Sequence, residues 1–149
     1  MMNLASWLLS QTAVHAQRLV VDGLAAKHAR GYHYRLLSAL ADDGPASQAD
    51  LGRRTGIHLS DMVAAINELA DGGYVERAPD PADRRRNVVT ITRAGERRRT
   101  ELAAAVDQIQ RELLEPLSAA ERAELIRLLG KLLAHHTARG SSVAGGTDG

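Results

Sequence analysis

Apolar and polar residues follow a helical period over most of this chain. Residues 4–27 form an amphipathic pattern that predicts one long helix, and residues 34–40 predict a shorter helix after a break at Gly31. Residues 93–137 are rich in Leu at the same spacing, and Pro116 should end or kink the first of two helices there. The pattern predicts a mainly α-helical protein.

Capping residues predict where the last two helices begin. Thr92 is a good N-cap for the first of them, and Ser118 with Glu121 forms a capping box for the second. These helices carry more apolar surface than a small domain can cover, so part of that surface is expected to meet another copy of the chain.

The middle of the chain has a helix-turn-helix pattern. Ser47 is a suitable N-cap with an acid three residues later, which predicts a helix over residues 48–55 that Gly56 stops. Ser60 is predicted to cap a second helix, which a Gly-Gly pair should end. These are the elements of the DNA-reading motif, in which the second helix enters the major groove.

A β-type segment follows the two helices. Residues 74–77 and 88–92 predict the strands of a small antiparallel β-ribbon, joined by a loop that holds one Pro, two Asp and three consecutive Arg. Guanidinium groups at the tip of a ribbon suit a narrow DNA minor groove. Taken alone, the ribbon could also be an exposed hairpin with ordinary surface charge.

Composition and charge agree with this organisation. The 149 residues are 44% hydrophobic without any Phe, so one domain with a core of Leu, Ile, Val and Ala is expected. Net charge is only +1, but residues 84–99 hold seven Arg against one acid. The absence of Cys excludes a disulfide framework and a thiolate metal site. Without a recognisable secretory or membrane segment, we expect a cytoplasmic protein with no cofactor and no metal.

Four motifs occur in a specific order: Ser47-Gln48-Ala49-Asp50-Leu51-Gly52, Leu69 with Tyr74-Val75-Glu76-Arg77, Asp80-Pro81-x-Asp83-Arg84-Arg85, and Thr92-x-x-Gly95. Together they resemble the signature of the MarR family of dimeric winged helix-turn-helix transcriptional regulators. Gly52 departs from that pattern, since such helices usually carry Ala there, and it should weaken its helix by about 1 kcal/mol.

The resemblance implies one MarR-like domain over residues 1–137. Its winged helix-turn-helix core would span residues 34–92, and residues 4–30 and 93–137 would supply helices that interdigitate in a homodimer. Such a dimer would bind double-stranded DNA at a palindromic operator, one recognition helix to each half-site. Residues 138–149 are rich in Gly and Ser and are predicted to be a disordered tail.

Candidate DNA contacts lie on both helices of the motif. The N-terminus of the first suits a phosphate and two Arg follow within it; these residues are Ser47, Gln48, Arg53 and Arg54. On the second helix the residues left outside the expected core are Ser60, Asp61, Ala64 and Asn67. Asn67 suits adenine, Ala64 a thymine methyl and Asp61 the amino group of cytosine.

In the wing, the resemblance places the minor-groove arginine at Arg85, with Asp83 orienting this region. Arg84 and Arg86 are candidate phosphate contacts. Asp83 could also stabilise the turn as an Asx residue, and the two roles are compatible.

The resemblance further implies a repressor released by a small phenolic or carboxylate effector, bound between the dimer helices and the winged domain. The candidate residues lie on one face of the first helix and at the start of the second: Trp7, Gln11, His15, Arg18, Tyr32, His33 and Tyr34. Arg18 could clamp a carboxylate, and His15 could bond a hydroxyl. A solvated helix face with a Trp at its edge is the alternative.

The residues favour a DNA-binding regulator over two other classes of function. An enzyme would need a nucleophile with a base, a pair of acids or a metal set, and the sequence shows no such constellation. A winged-helix protein-interaction module that does not bind DNA is the alternative, since a fold does not fix a function.

Overall fold

The computed structural model describes residues 3–144, with side chains over residues 3–140. The elements in chain order are α1 Ala5–Ala25, α2 Gly31–Asp43, β1 Ala46–Ser47, α3 Gln48–Thr55, α4 Leu59–Asp71, β2 Val75–Pro79, β3 Asn87–Ile91, α5 Arg93–Leu113 and α6 Ala119–Ala144. The chain divides into two compact units, Met1–Gln110 and Arg111–Gly149. The mainly α-helical fold class with a small antiparallel β-element is confirmed.

One hydrophobic core holds the first unit together. Its largest fully buried side chains are Leu24, Leu36, Leu37, Leu40, Leu51, Met62, Ile66, Val89 and Leu102. Each such side chain contributes roughly 1.5–3 kcal/mol through removal of apolar area from water. Because the set draws on α1 to α5 and on β3, it fixes the helix-turn-helix and the sheet as one body.

The sheet has three antiparallel strands in the order β1-β3-β2. The two strands of the predicted ribbon are confirmed, and they pair from Val75 opposite Ile91 to Pro79 opposite Asn87. Strand β1 was not predicted, because two residues are too few to show an alternation of apolar and polar positions. It pairs Ser47 with Val88, so the residue that caps α3 also belongs to the sheet.

The start of α5 explains the spacing of the Thr92-x-x-Gly95 motif. The Thr92 hydroxyl donates to the Gly73 carbonyl at 2.7 Å and accepts from the Gly95 N–H at 3.0 Å, which confirms the predicted cap. A Cβ atom on Gly95 would lie 2.1 Å from the carbonyl oxygen of Tyr74. Glycine is therefore required where α5 crosses the start of β2.

Two predicted helix starts need correction. Gly31 was predicted as a break, but it is the first residue of α2; the chain turns over residues 26–30, where His28 has φ 55°. Ser60 was predicted to cap the second helix of the motif, but α4 begins at Leu59. The His58 carbonyl already accepts the Met62 N–H at 2.8 Å, so helical hydrogen bonding begins after a turn of three residues, 56–58, in which Ile57 is buried.

The second unit consists of the end of α5, a turn and α6. The predicted capping box is confirmed, because the Ser118 N–H donates to Glu121 at 2.9 Å and the Glu121 N–H donates to the Ser118 hydroxyl at 3.2 Å. The hydrogen bonds from Ser118 lower the pKa of the Glu121 carboxyl. The described side chains of α6 include none that is buried.

The prediction of a disordered tail over residues 138–149 is wrong for residues 138–144, which are helical. Helix elongation costs far less than nucleation, so an established helix can continue through Gly and Ser at about 1 kcal/mol or less for each. Residues 145–149 lie outside the described part of the chain.

Within residues 3–144, no helix is long and apolar enough to cross a membrane. The same part of the chain brings together no group of three or more His, Asp or Glu side chains that could hold a metal ion.

Candidate nucleic-acid interface

The N-terminus of α3 is joined to the wing, the loop of residues 80–86 between β2 and β3. The Ser47 hydroxyl accepts from the Asp50 N–H at 3.2 Å, which confirms the predicted N-cap. The same hydroxyl accepts from the Arg86 guanidinium at 3.1 Å. A separate hydrogen bond between the Ser47 and Asp50 side chains lowers the pKa of the Asp50 carboxyl, and Arg53 and Arg86 lower it further. Two predicted DNA-contact residues, Ser47 and Arg86, therefore bond to each other.

The cations of α3 differ in what they contact. Arg53 forms an ion pair with Asp50 on the preceding turn. Among the described residues, Arg54 forms no ion pair or hydrogen bond, and it lies exposed beside the αL cap at Gly56. Arg54 is accordingly the α3 cation whose charge is not offset by an acid among residues 3–140.

Helix α4, the predicted recognition helix, divides into a buried and an exposed face. Met62, Ile66 and Leu69 are buried, as their helical spacing predicts, and Ala65 is buried beside them. Of the four predicted groove residues, Ser60, Ala64 and Asn67 are exposed and Asp61 is half-buried.

Two of those groove residues bond within the chain. The Asn67 amide oxygen accepts from the Arg77 guanidinium of β2 at 2.6 Å. The Tyr32 hydroxyl donates to the Asp61 carboxylate at 3.4 Å. Of the four predicted groove residues, therefore, only Ser60 and Ala64 are exposed and make no side-chain hydrogen bond within the described residues.

The wing is shaped by bonds between its own backbone and its aspartates. The Asp80 N–H donates to the Arg86 carbonyl at 2.7 Å, and the Ala82 N–H donates to the Asp80 carboxylate at 2.9 Å. One oxygen of Asp83 accepts from the Arg85 N–H at 3.1 Å and from Arg85 Nε at 3.2 Å. Asp83 thus closes an Asx turn and also orients the Arg85 guanidinium, so both predicted roles are present.

Arg85 projects from this turn with 91% of its side chain exposed. Arg84 is exposed as well and has no ion-pair partner in the described part of the chain. Arg86 differs from both, because its guanidinium contacts Ser47. The three consecutive arginines therefore have three different surroundings.

A cleft of about 380 Å³ brings these elements together. Its lining residues come from the start of α3, the first residue of α4 and the wing: Ser47, Gln48, Ala49, Leu59, Arg85, Arg86 and Asn87. A second cleft, of about 290 Å³, lies between α3 and α4, where Gln48, Arg53 and Leu59 meet the buried Met62. Four residues that the sequence predicted as DNA contacts from separate motifs therefore line one cleft: Ser47, Gln48, Arg85 and Arg86.

Leu59 and Val63 were not among the predicted site residues. They are 67% and 40% exposed and lie one turn apart on α4. The sequence placed Leu59 in the turn before the second helix, and the predicted groove contacts were polar or small residues, so Val63 was not considered. The signal that could have revealed them is their number, since α4 has more apolar positions than one helix face can bury.

The residues predicted to bind an effector have two kinds of surroundings. Trp7, Gln11, His15 and Arg18 are exposed along α1 and form no hydrogen bond or ion pair within the described residues. Tyr34 is half-buried against the core. Tyr32 and His33 instead contact α4, the former through Asp61 as given above.

His33 is the buried member of a small polar cluster. Its Nδ1 accepts from the Arg30 N–H at 3.2 Å, so the ring carries its hydrogen on Nε2, which lies 2.9 Å from a Glu68 carboxylate oxygen. Arg30 forms an ion pair with the other oxygen of Glu68. Burial lowers the pKa of His33, and this outweighs the opposing effect of the hydrogen bond that His33 donates to Glu68. The neutral ring therefore joins the start of α2 to the recognition helix.

Comparisons with known proteins agree with this geometry. A family model described as MarR family matches residues 28–86, which include α2, β1, α3, α4, β2 and the wing. The chain is 32% identical over 97 residues to the HTH-type transcriptional repressor NicR of Pseudomonas putida. That match covers 65% of this chain and 61% of NicR, so it spans less than two thirds of the repressor.

Solved structures with the same fold cover most of the chain. BpsR of Bordetella bronchiseptica, whose DNA binding is regulated by 6-hydroxynicotinic acid, is 25% identical with a TM-score of 0.79. The superposition covers 87% of this chain and 93% of BpsR. A probable transcriptional regulator from Pseudomonas aeruginosa is 30% identical with a TM-score of 0.77, covering 87% of this chain and 97% of its own.

Proposed function

The chain belongs to the MarR family, and from this membership we propose that it is a dimeric, sequence-specific DNA-binding regulator of transcription. The observation that carries the proposal is the cleft where the α3 N-terminus, the first residue of α4 and two wing arginines meet. A helix for the major groove and an exposed Arg85 for the adjacent minor groove then lie on one surface.

Each element supplies a different part of recognition. Backbone amides at the start of α3 and the unpaired charges of Arg54 and Arg84 suit phosphates, which fix the position of a protein on the duplex. The exposed face of α4 reads base edges. Arg85, held by Asp83, enters a narrow minor groove, where negative potential is concentrated.

We propose a homodimer because large apolar side chains remain exposed on α1 and, separately, on α6. Those of α1 are Leu4, Trp7, Leu8, Leu9, Val14 and Val21. Those of α6 are Ile126, Leu128, Leu129, Leu132 and Leu133. A second copy of the chain would remove these surfaces from water and place two recognition helices on the half-sites of a palindrome.

The similarity to NicR, a repressor, and to BpsR supports a repressor that releases DNA when it binds a small aromatic acid or phenol. In this chain the exposed Arg18 would clamp the carboxylate, with Trp7, Gln11 and His15 on the same helix face. Tyr32 and His33 would link such a site to the recognition helix, because they already bond to Asp61 and Glu68 of α4.

The proposal is tested by light scattering and by duplex binding as a function of salt. A dimer should bind a selected duplex with an affinity that falls steeply as salt rises, because counterions are released from the phosphates that the arginines neutralise. A monomer that binds no duplex would contradict the proposal and favour a protein-interaction module. Adding 6-hydroxynicotinic acid, with benzoic acid as a comparison, tests release by an aromatic acid.

A further inference from the structure

We infer that Leu59 and Val63 of α4 are specificity-determining residues, which select thymine by contacting its 5-methyl group in the major groove. This inference rests on the proposed DNA-binding function. It adds two apolar residues to the reading face and names the base feature that they recognise. The predicted operator half-site therefore carries thymines opposite the N-terminal two turns of α4.

The position of the two residues on α4 is the first support. They are four residues apart, so they lie about 6 Å apart along the helix axis, roughly two base-pair steps. Both belong to the N-terminal half of α4, the part of a recognition helix that contacts base edges. At 67% and 40% exposure, Leu59 and Val63 are available to a ligand without any rearrangement of the core.

The surroundings of Leu59 fit a DNA ligand. This side chain lines the cleft together with Arg85 and Arg86 of the wing and with Gln48 at the start of α3. Cationic groups around an exposed apolar side chain favour a polyanion that also presents an apolar group. In duplex DNA the thymine methyl is the apolar group on the floor of the major groove.

The polar residues of α4 do not offer an equivalent alternative. Asn67 already accepts a hydrogen bond from Arg77, and Asp61 accepts one from Tyr32. Contact of either side chain with a base would require that bond to be replaced. In the first two turns of α4, four exposed residues make no side-chain hydrogen bond: Leu59, Ser60, Val63 and Ala64. Three of these four are apolar.

Replacement of thymine by uracil tests the inference, because uracil differs only by the missing methyl group. The full chain is first used to select bound duplexes from a random pool. Each thymine of the selected half-site is then replaced by deoxyuridine, and affinities are measured at fixed salt. We expect a loss of about fourfold or more at one or two positions, corresponding to one buried methyl group at each.

Leu59→Ala and Val63→Ala should each abolish the thymine-to-uracil difference at one position while leaving it at the others. Arg54→Ala is the matched control, since loss of an exposed α3 cation should weaken thymine and uracil duplexes equally. Because all three residues are exposed, circular dichroism and light scattering should show the native fold and dimer in each variant.

The outcomes separate this inference from the proposed function. Selected duplexes whose uracil forms bind the native protein as tightly as the thymine forms would overturn the role of Leu59 and Val63 but not DNA binding. An unchanged thymine preference in both Ala variants would do the same. Selection of no duplex at all would overturn the proposed function and this inference together.

Discussion

The recognition helix and the wing are held in place by different forces. Four side chains of α4 are buried in the core, so apolar packing fixes its position. The wing buries no side chain, and local hydrogen bonds among Asp80, Asp83 and the backbone determine its shape. Removal of a packed residue should therefore cost stability, whereas removal of a wing residue should change binding with little effect on folding.

Ile66→Ala tests the packed side of this comparison and should have the largest effect. Ile66 is 1% exposed at the centre of the buried face of α4. Its truncation removes apolar contacts and leaves a cavity, which should lower the free energy of unfolding by about 2–5 kcal/mol. Urea denaturation followed by circular dichroism measures this change. A loss below about 1 kcal/mol would show that packing does not fix α4.

Arg85→Ala tests the wing, and it should reduce the affinity for DNA without reducing the stability of the fold. Affinity for the selected duplex should fall at least about tenfold, or about 1.4 kcal/mol, while the unfolding free energy stays within about 0.5 kcal/mol. Arg85→Lys should recover part of the affinity, because an ammonium group is more strongly hydrated than a guanidinium. Equal affinities of the native protein and Arg85→Ala would make the wing an ordinary surface hairpin.

Gly52→Ala should stabilise the protein by about 1 kcal/mol, since alanine is the better helix former inside α3. The added Cβ would meet no atom closer than the Ile57 carbonyl oxygen at 3.9 Å, an ordinary contact distance. Thermal unfolding measures the gain, and duplex affinity should be unchanged. Gly56→Ala is the matched control, because Gly56 has φ 68° and a side chain there should destabilise the protein.

The His33 cluster should give the smallest effect, a dependence of stability on pH. Because the folded-state pKa of His33 lies below its ordinary value of 6.5, the unfolded chain binds the proton more readily. The contribution of neutral His33 to the free energy of unfolding is therefore fully present above pH 6.5, and it is lost as the pH falls towards the lowered pKa. Protonation would also place a hydrogen on Nδ1, which faces the Arg30 N–H.

Urea denaturation at a series of pH values measures this contribution. His33→Asn is the informative variant, because its amide oxygen can still accept from the Arg30 N–H but does not titrate near neutral pH. The free energy of unfolding of His33→Asn should therefore depend less on pH than that of the native protein. The charged groups around the ring are Glu68, Arg30 and Arg98, and Glu68→Gln should lower the pKa of His33 further. An unchanged slope in His33→Asn would assign the pH dependence to other groups.

Local sequence signals predicted much of this architecture. The Ser47 cap, the αL stop at Gly56 and the Ser118 capping box were all readable, because each depends on residues within one helical turn. The start of α4 was predicted too late, because Ser60 is a favourable N-cap residue, whereas His58 caps α4 without a side-chain hydrogen bond. The helical end of α6 was missed because composition reports propensity and not the length of a helix already formed.

The candidate site was predictable in its parts but not in its connections. Motif resemblance identified the wing arginines, and helical spacing identified the exposed side of α4. The bonds from Arg86 to Ser47, from Arg77 to Asn67 and from Tyr32 to Asp61 join residues at least ten positions apart. No periodicity within one element reports such contacts, so they required the three-dimensional structure.

The bond between Arg86 and Ser47 has a mechanical consequence for the proposed complex. Together with the pairing of Ser47 and Val88, it joins the wing to the start of α3, so the two elements that we propose to contact DNA should move together. In the proposed complex, the distance between the phosphate bound at the start of α3 and the minor groove entered by the wing would then be nearly constant. A protein built in this way would measure the local winding of the duplex, and sequences that are over- or undertwisted would bind less well even with every contacted base unchanged.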